Sequence, residues 1–153
     1  MHPFLIPGAW LIDGTYFPSG KAVQPVTGLI RVRPAEEFPE TLRVEGEVRS
    51  ALDPAARPAC STYHLDLTGS GTLRFRMDSM PLGTVLFGEG VFDEAGMIVR
   101  YTSPERRIIG VETFTADGGG GLRTSGVLLA DGVAATSWLA RLSPVRSGPP
   151  AAL

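Results

Sequence analysis

This chain of 153 residues has two histidines and one cysteine, so its candidate acids and bases are mostly carboxyl groups, sixteen in all. Glu112 is the most interesting of them. In the stretch RIIGVETFT it shares strand parity with Ile108, Gly110 and Phe114. If Gly110 faces inward, a carboxyl group lies among apolar side chains, where burial raises its pKa and suits it to acid–base work. The opposite register buries Ile109, Val111 and Thr113 and leaves Glu112 in water, and the β-branched residues favour that register slightly. His64 and Asp66 are two apart and share a face of a strand, which is half of an acid–base relay. No nucleophile accompanies them and Arg74 and Arg76 lie across, so a solvated charge cluster is the better reading. Cys60 has no partner histidine implied. Two histidines and one cysteine, far apart, do not make a metal site, and the glycine run 118–121 lacks the Lys-Ser/Thr and helix of a phosphate cradle.

The elements that must position these groups are strands. The stretch Leu82 to Thr115 reads as a meander of three, broken at 93–96 and at 104–106. A turn at 93–96 sets Phe92 opposite Met97, Val91 opposite Ile98 and Glu89 opposite Arg100. Alternation then places Phe92, Val99 and Tyr101 on one face and Phe87, Glu89, Val91, Ile98 and Arg100 on the other. A directly opposed Glu and Arg is a favourable cross-strand pair, so the Phe92/Val99/Tyr101 face is assigned inward. Residues 69–71 close a second hairpin, with Leu67 opposite Leu73, Asp66 opposite Arg74, Leu65 opposite Phe75, Tyr63 opposite Met77 and His64 beside Arg76.

Strands are also expected at 9–17, 23–33 and 41–50, the last with the clearest apolar/polar alternation in the chain. Asp131-Gly132 is a strong two-residue turn and makes a final hairpin of 122–130 and 133–142. A short helical turn fits Asp53-Pro54-Ala55-Ala56. The sum is an all-β, antiparallel up-and-down β-barrel of about eight to ten strands, since closure removes the exposed edges. It forms one domain over 1–142, followed by a flexible Pro/Ala/Gly-rich tail over 143–153. Mid-strand glycines, among them Gly14, Gly28, Gly46, Gly88, Gly90, Gly110 and Gly126, serve curvature and leave interior room.

Composition narrows the function classes. Hydrophobic residues make up 43% and charged residues 20%, with net charge −2, and Arg and Glu are interleaved, so there is no basic footprint for nucleic acid. No apolar run reaches the length of a membrane span. One cysteine permits no intrachain disulfide, and no basic stretch opens the chain, so a cytoplasmic setting is expected. Lys21 is the sole lysine, and the arginine bias reads as the trace of a GC-rich bacterial genome.

Gly8-Ala9-Trp10 opens the first strand and Trp138-Leu139-Ala140-Arg141 closes the last. In this the chain resembles the calycin superfamily, the lipocalins and their relatives. The resemblance implies that Gly8 and Trp10 form the G-x-W that closes the barrel floor. It implies that Arg141 packs over the tryptophan ring, a cation–π contact worth ~0.5–2 kcal/mol. It also implies a chain closer to the intracellular or bacterial barrels of that superfamily than to secreted lipocalins. Haem-binding barrels of this shape use a histidine, and His64 falls on the outer face, so no cofactor is expected.

The leading expectation is a barrel that binds a small apolar or amphipathic molecule. Tyr16, Tyr63 and Tyr101 would supply hydroxyls in an apolar pocket, among Phe75, Met77, Phe92, Val99 and Phe114. The alternative is a barrel-type cyclase or isomerase working through positioning, with Glu112 as its catalytic group. A filled barrel that serves as a structural module is the third reading. Phe87, Val91 and Ile98 on the outer face mark the surface of a homodimer.

Overall fold

The computed structural model describes residues 1–146. Ten strands follow one another in chain order: Gly8–Pro18 (β1), Gln24–Pro34 (β2), Thr41–Ser50 (β3), Ala59–Leu67 (β4), Thr72–Ser79 (β5), Thr84–Phe92 (β6), Gly96–Thr102 (β7), Ile108–Ala116 (β8), Leu122–Ala130 (β9) and Val133–Pro144 (β10). Each pairs antiparallel with its chain neighbours, and β1 pairs with β10, so the sheet closes on itself with no free edge.

Both hairpin registers expected from the sequence are present. Glu89 lies opposite Arg100 and Phe92 opposite Met97. Leu65 lies opposite Phe75 and Tyr63 opposite Met77. Asp131 and Gly132 both adopt positive φ, 50° and 80°, the backbone of a two-residue turn whose twist matches its strands. The expected helical turn after Asp53 is a single hydrogen-bonded turn, Ala56 N to Asp53 O at 3.0 Å.

β10 runs two residues beyond the expected limit of the barrel at 142. Pro144 still pairs with Trp10, and Val145 N donates to Ala9 O at 2.9 Å. The remainder of the expected tail, 147–153, lies outside the described residues.

The interior is apolar, and aromatic rings give it its shape. Three interior glycines sit directly opposite three aromatic residues: Gly88 opposite Phe75, Gly110 opposite Tyr101 and Gly126 opposite Trp138. Each ring lies flat over its glycine. A Cβ added there would fall 2.1 Å from Phe75 Cζ, 2.1 Å from Tyr101 Cε2 or 2.2 Å from Trp138 Cζ2. The space left by these glycines is therefore occupied by the neighbouring strand's ring, not by a ligand.

One end of the barrel is plugged by an element with no apolar periodicity to announce it. Residues Pro3–Leu5 form a short 3-10 helix with Phe4 and Leu5 buried. Phe4 meets Phe114 with ring centroids 4.7 Å apart. His2 caps the turn: its Nδ1 accepts from Phe4 N at 3.3 Å, and the side chain has no solvent exposure. Nδ1 as acceptor puts the proton of the neutral ring on Nε2, which has no hydrogen-bond partner among the described residues.

Burial pushes the His2 pKa below 6.5, with the charge of Asp93 and the Phe114 carbonyl opposing it in part. Below pH 6.5 the unfolded chain takes up this proton before the folded one does, so stability is lost as pH falls. Thermal melts at about pH 5 and about pH 7 check this: the wild type is expected to lose more stability on acidification than His2→Gln. An equal loss in both would detach the plug from His2 titration.

The outer face of the barrel carries the ion pairs. Arg100 Nε donates to Glu89 at 3.0 Å, and Arg107 makes a bidentate contact to Asp131 at 2.9 and 3.0 Å. Both pairs are largely exposed, where solvent screens such contacts and they add little to stability.

Candidate functional site

A cavity of about 300 Å³ runs inside the barrel, at the lower end of the range for small-molecule pockets. It is bounded at the plugged end by Phe4 and Phe114. It extends to the other end, where Ala59, Ser61, Ser79, Pro81 and Leu82 line it.

All three tyrosines of the chain line this cavity: Tyr16 from β1, Tyr63 from β4 and Tyr101 from β7. Phe75, Met77, Val99 and Phe114 line it as well. Phe92 does not. It ends β6 at the plugged end and packs, half-buried, against the core, so its expected place among the ligand-facing residues is corrected.

Glu112 lies inside. The register that favoured Ile109 and Val111 as interior residues is reversed, since both are exposed. Tyr101 opposite Gly110 sets this face, because a ring packed on the interior side of Gly110 carries Glu112 to the same side two residues on. Glu112 Oε1 accepts from Thr124 Oγ1 at 2.7 Å and from Trp138 Nε1 at 3.1 Å. Its other oxygen makes no hydrogen bond to the described residues.

Desolvation raises the Glu112 pKa above 4.5, against the two donors, which lower it. Because Oε1 already accepts twice, the protonated form of this carboxyl carries its proton on Oε2, as a donor into the cavity. The three tyrosines share the cavity with Glu112 and feel its charge. Burial and the Glu112 charge push Tyr16 up to about 12, and the same causes raise Tyr63 and Tyr101. Among the described residues, none of the three hydroxyls bonds to another side chain, nor is any of them a sealed, unsatisfied atom, and no Lys, Arg or His lines the cavity.

The residues named for the barrel floor divide. Trp10 is buried in the core, whereas Gly8 is exposed at the start of β1. A Cβ at Gly8 would meet only Ile6 O at 3.9 Å, so nothing there requires glycine. Arg141 does not pack over Trp10. It lies opposite Asp13 on the outer face and donates to Asp117 Oδ2 at 3.1 Å. The cause is parity: Trp138 and Leu142 face in, so Arg141 must face out. The plug of Phe4 and Leu5, missed in the sequence, closes that end instead; Pro3 at the first helical position was its only local signal.

His64 falls on the outer face between Arg43 and Arg76, and Asp66 accepts from Thr41 Oγ1 at 2.9 Å. The two do not form a relay with any nucleophile. Cys60 is half-buried beside Pro58 O at 3.9 Å and faces away from the cavity that Ala59 and Ser61 line. Among the described residues no group of three or more His, Cys, Asp or Glu side chains is placed to hold a metal.

The architecture is a closed ten-stranded antiparallel barrel, lipocalin-like in fold. An S-type phycobiliprotein lyase from Guillardia theta superposes with a TM-score of 0.70 at 12% identity, over 95% of this chain and 92% of that one. Rv2717c from M. tuberculosis superposes with a TM-score of 0.71 at 16% identity, over 94% of each chain. At such identities the likeness is one of fold. No protein-family model and no curated protein matches the sequence.

Proposed function

We propose that this barrel holds one small, largely apolar molecule, oriented by a polar group set against Glu112. The observation that carries the reading is the cavity wall itself. It is apolar over most of its surface, and its unspent polar atoms come from different strands: the free oxygen of Glu112 and the hydroxyls of Tyr16, Tyr63 and Tyr101. A small number of polar groups in an apolar enclosure is what fixes a ligand's orientation. Native mass spectrometry of protein exposed to a cell extract tests it, with a single adduct per chain as the expected result and bare protein alone as the contrary one.

A second reading is supported by Glu112 alone. Burial raises the pKa of this carboxyl, the direction that suits a general acid, which fits a cyclase or isomerase acting on a small hydrophobic intermediate. Turnover lost in Glu112→Gln with binding retained would mark that activity.

We also propose that two copies associate through the outer faces of β6, β7 and β8. Phe87, Val91 and Ile98 are exposed there beside Ile109 and Val111, with the Glu89–Arg100 pair among them. Such a face is self-complementary about a two-fold axis, Arg100 of one copy meeting Glu89 of the other. Light scattering at micromolar protein is expected to give a dimer, and a monomer for Ile98→Glu; a monomeric wild type would refute it. One cysteine and no intrachain disulfide support a reducing, cytoplasmic setting. Among the described residues no helix is long and apolar enough to cross a membrane.

A further inference from the structure

We infer that the ligand of this cavity is an apolar amine, held as its ammonium between the Glu112 carboxylate and the surrounding aromatic rings, and that anionic amphiphiles are rejected. This rests on the binding reading above and adds the ligand's chemical class.

Three features of the cavity select for it. First, among the described residues Glu112 is the sole acidic one that lines the wall, and no basic one lines it. A carboxylate or phosphate ligand would find no cation there and would face Glu112 directly. Second, the carboxylate form is already provided for. Thr124 and Trp138 donate to Oε1, and Oε2 is left to accept from the ligand. An ion pair out of water is tolerated only where its remaining lone pairs and protons are satisfied in this way.

Third, aromatic rings line the same cavity as the carboxyl. Tyr16 and Trp138 have centroids 6.2 Å apart, Tyr63 and Phe75 6.0 Å, and Phe75 and Tyr101 6.3 Å. Aromatic faces attract a desolvated cation, and the three tyrosine hydroxyls supply acceptors for the ammonium N–H groups that do not reach Oε2. Beyond them, Val44, Leu65, Leu73 and Met97 receive the hydrocarbon part.

Proton bookkeeping distinguishes this ligand from its isosteres. The amine arrives from water already as an ammonium. At a pH where Glu112 is protonated in the free protein, it loses the Oε2 proton to solvent, and an N–H of the ligand donates to Oε2 in its place. One proton therefore leaves for each amine bound wherever Glu112 is protonated beforehand. An alcohol of the same length displaces none.

The test is isothermal calorimetry with octylamine, 1-octanol and octanoate, run in two buffers of different ionisation enthalpy. A hydrogen bond to a charged group is worth about 1.5–3 kcal/mol, so octylamine is expected to bind about tenfold or more tighter than octanol, with octanoate weakest. Proton release should accompany the amine and not the alcohol. In Glu112→Gln the amine's advantage over octanol should vanish, with circular dichroism and a cooperative melt showing that the variant is folded. In Tyr63→Phe, a gentler change, the advantage should shrink and not disappear. Octanol binding as tightly as octylamine in the wild type, or amine preference surviving in Glu112→Gln, would overturn the inference and leave the apolar-ligand reading standing. Binding of none of the three would overturn both.

Discussion

Gly110→Val is expected to be among the most damaging single substitutions in the barrel. A Cβ at this position would sit 2.1 Å from Tyr101 Cε2 and Cζ, well inside van der Waals contact, so the ring must leave the interior or β7 and β8 must separate. Overpacking of this kind costs about 1–3 kcal/mol, which for a chain of this length lowers Tm by about 3–10 °C. The displaced ring is also one wall of the cavity, so ligand affinity should fall with stability. Differential scanning calorimetry checks the first effect. An unchanged Tm would mean that Tyr101 does not rest on Gly110. Gly8→Ala serves as the control, because a Cβ there meets only Ile6 O at 3.9 Å, and it should leave Tm nearly unaltered.

The second large effect is a pH dependence that belongs to Glu112. Burial raises its pKa in the fold above the 4.5 of the unfolded chain. Between those two values the folded state holds a proton that the unfolded state has released. Stability is therefore present in full below 4.5 and is lost as pH rises through the folded pKa. Glu112→Gln retains an oxygen acceptor for Thr124 and Trp138 but cannot ionise. The expected result is a wild type that falls behind Glu112→Gln as pH is raised from about 4.5 towards neutral and beyond, read by urea midpoints across that range. A wild type that gains on the variant over this range would place the carboxyl in water. His2 slopes the other way, losing stability as pH falls from 6.5, so the two contributions oppose each other between 4.5 and 6.5 and neither is complete there.

Strand pairing was legible because turns and alternation agree with each other. A two-residue Asp131-Gly132 turn admits one register, and opposed Asp66/Arg74 and Leu65/Phe75 pairs admit one more. Local chemistry and global closure point the same way at these places.

Glu112 was ambiguous for a physical reason. Both faces of β8 offer apolar residues, Ile109 and Val111 on one and Ile108 and Phe114 on the other, so burial preference alone does not choose. The arbiter was non-local. A turn at 103–107 pairs Thr102 with Ile109, hence Tyr101 with Gly110 and Val99 with Glu112, and the inward face of β7 was already fixed by Val99 and Tyr101. Following that register one strand further places the carboxyl inside.

The Arg141 assignment failed on arithmetic available in the sequence. Residues 138 and 141 are three apart and so lie on opposite faces of a strand, and Trp138 is needed inside. The Pro3–Leu5 plug had no comparable signal, since three residues show no period. Its burial follows from where the barrel leaves its end open, which only the closed sheet defines. The tyrosines were legible as interior groups. Their sharing of one cavity with a carboxyl was not, because it depends on which strands face each other across the barrel.

The claim on which the rest depends is that the interior is a binding chamber and not packed core, and Gly46 offers the most direct test of it. Gly46 lines the cavity, and a Cβ there would find only Ile30 Cγ1, at 3.9 Å, so Gly46→Phe can place its ring in the chamber without disturbing the wall. The measurement is titration of wild type and Gly46→Phe with an environment-sensitive apolar dye. The account predicts blue-shifted emission saturating at one dye per chain for the wild type, and no such signal for a Gly46→Phe variant that melts at or above the wild-type temperature. Equal dye binding by both proteins, or a collapse in stability of Gly46→Phe that betrays an interior already filled, would contradict it.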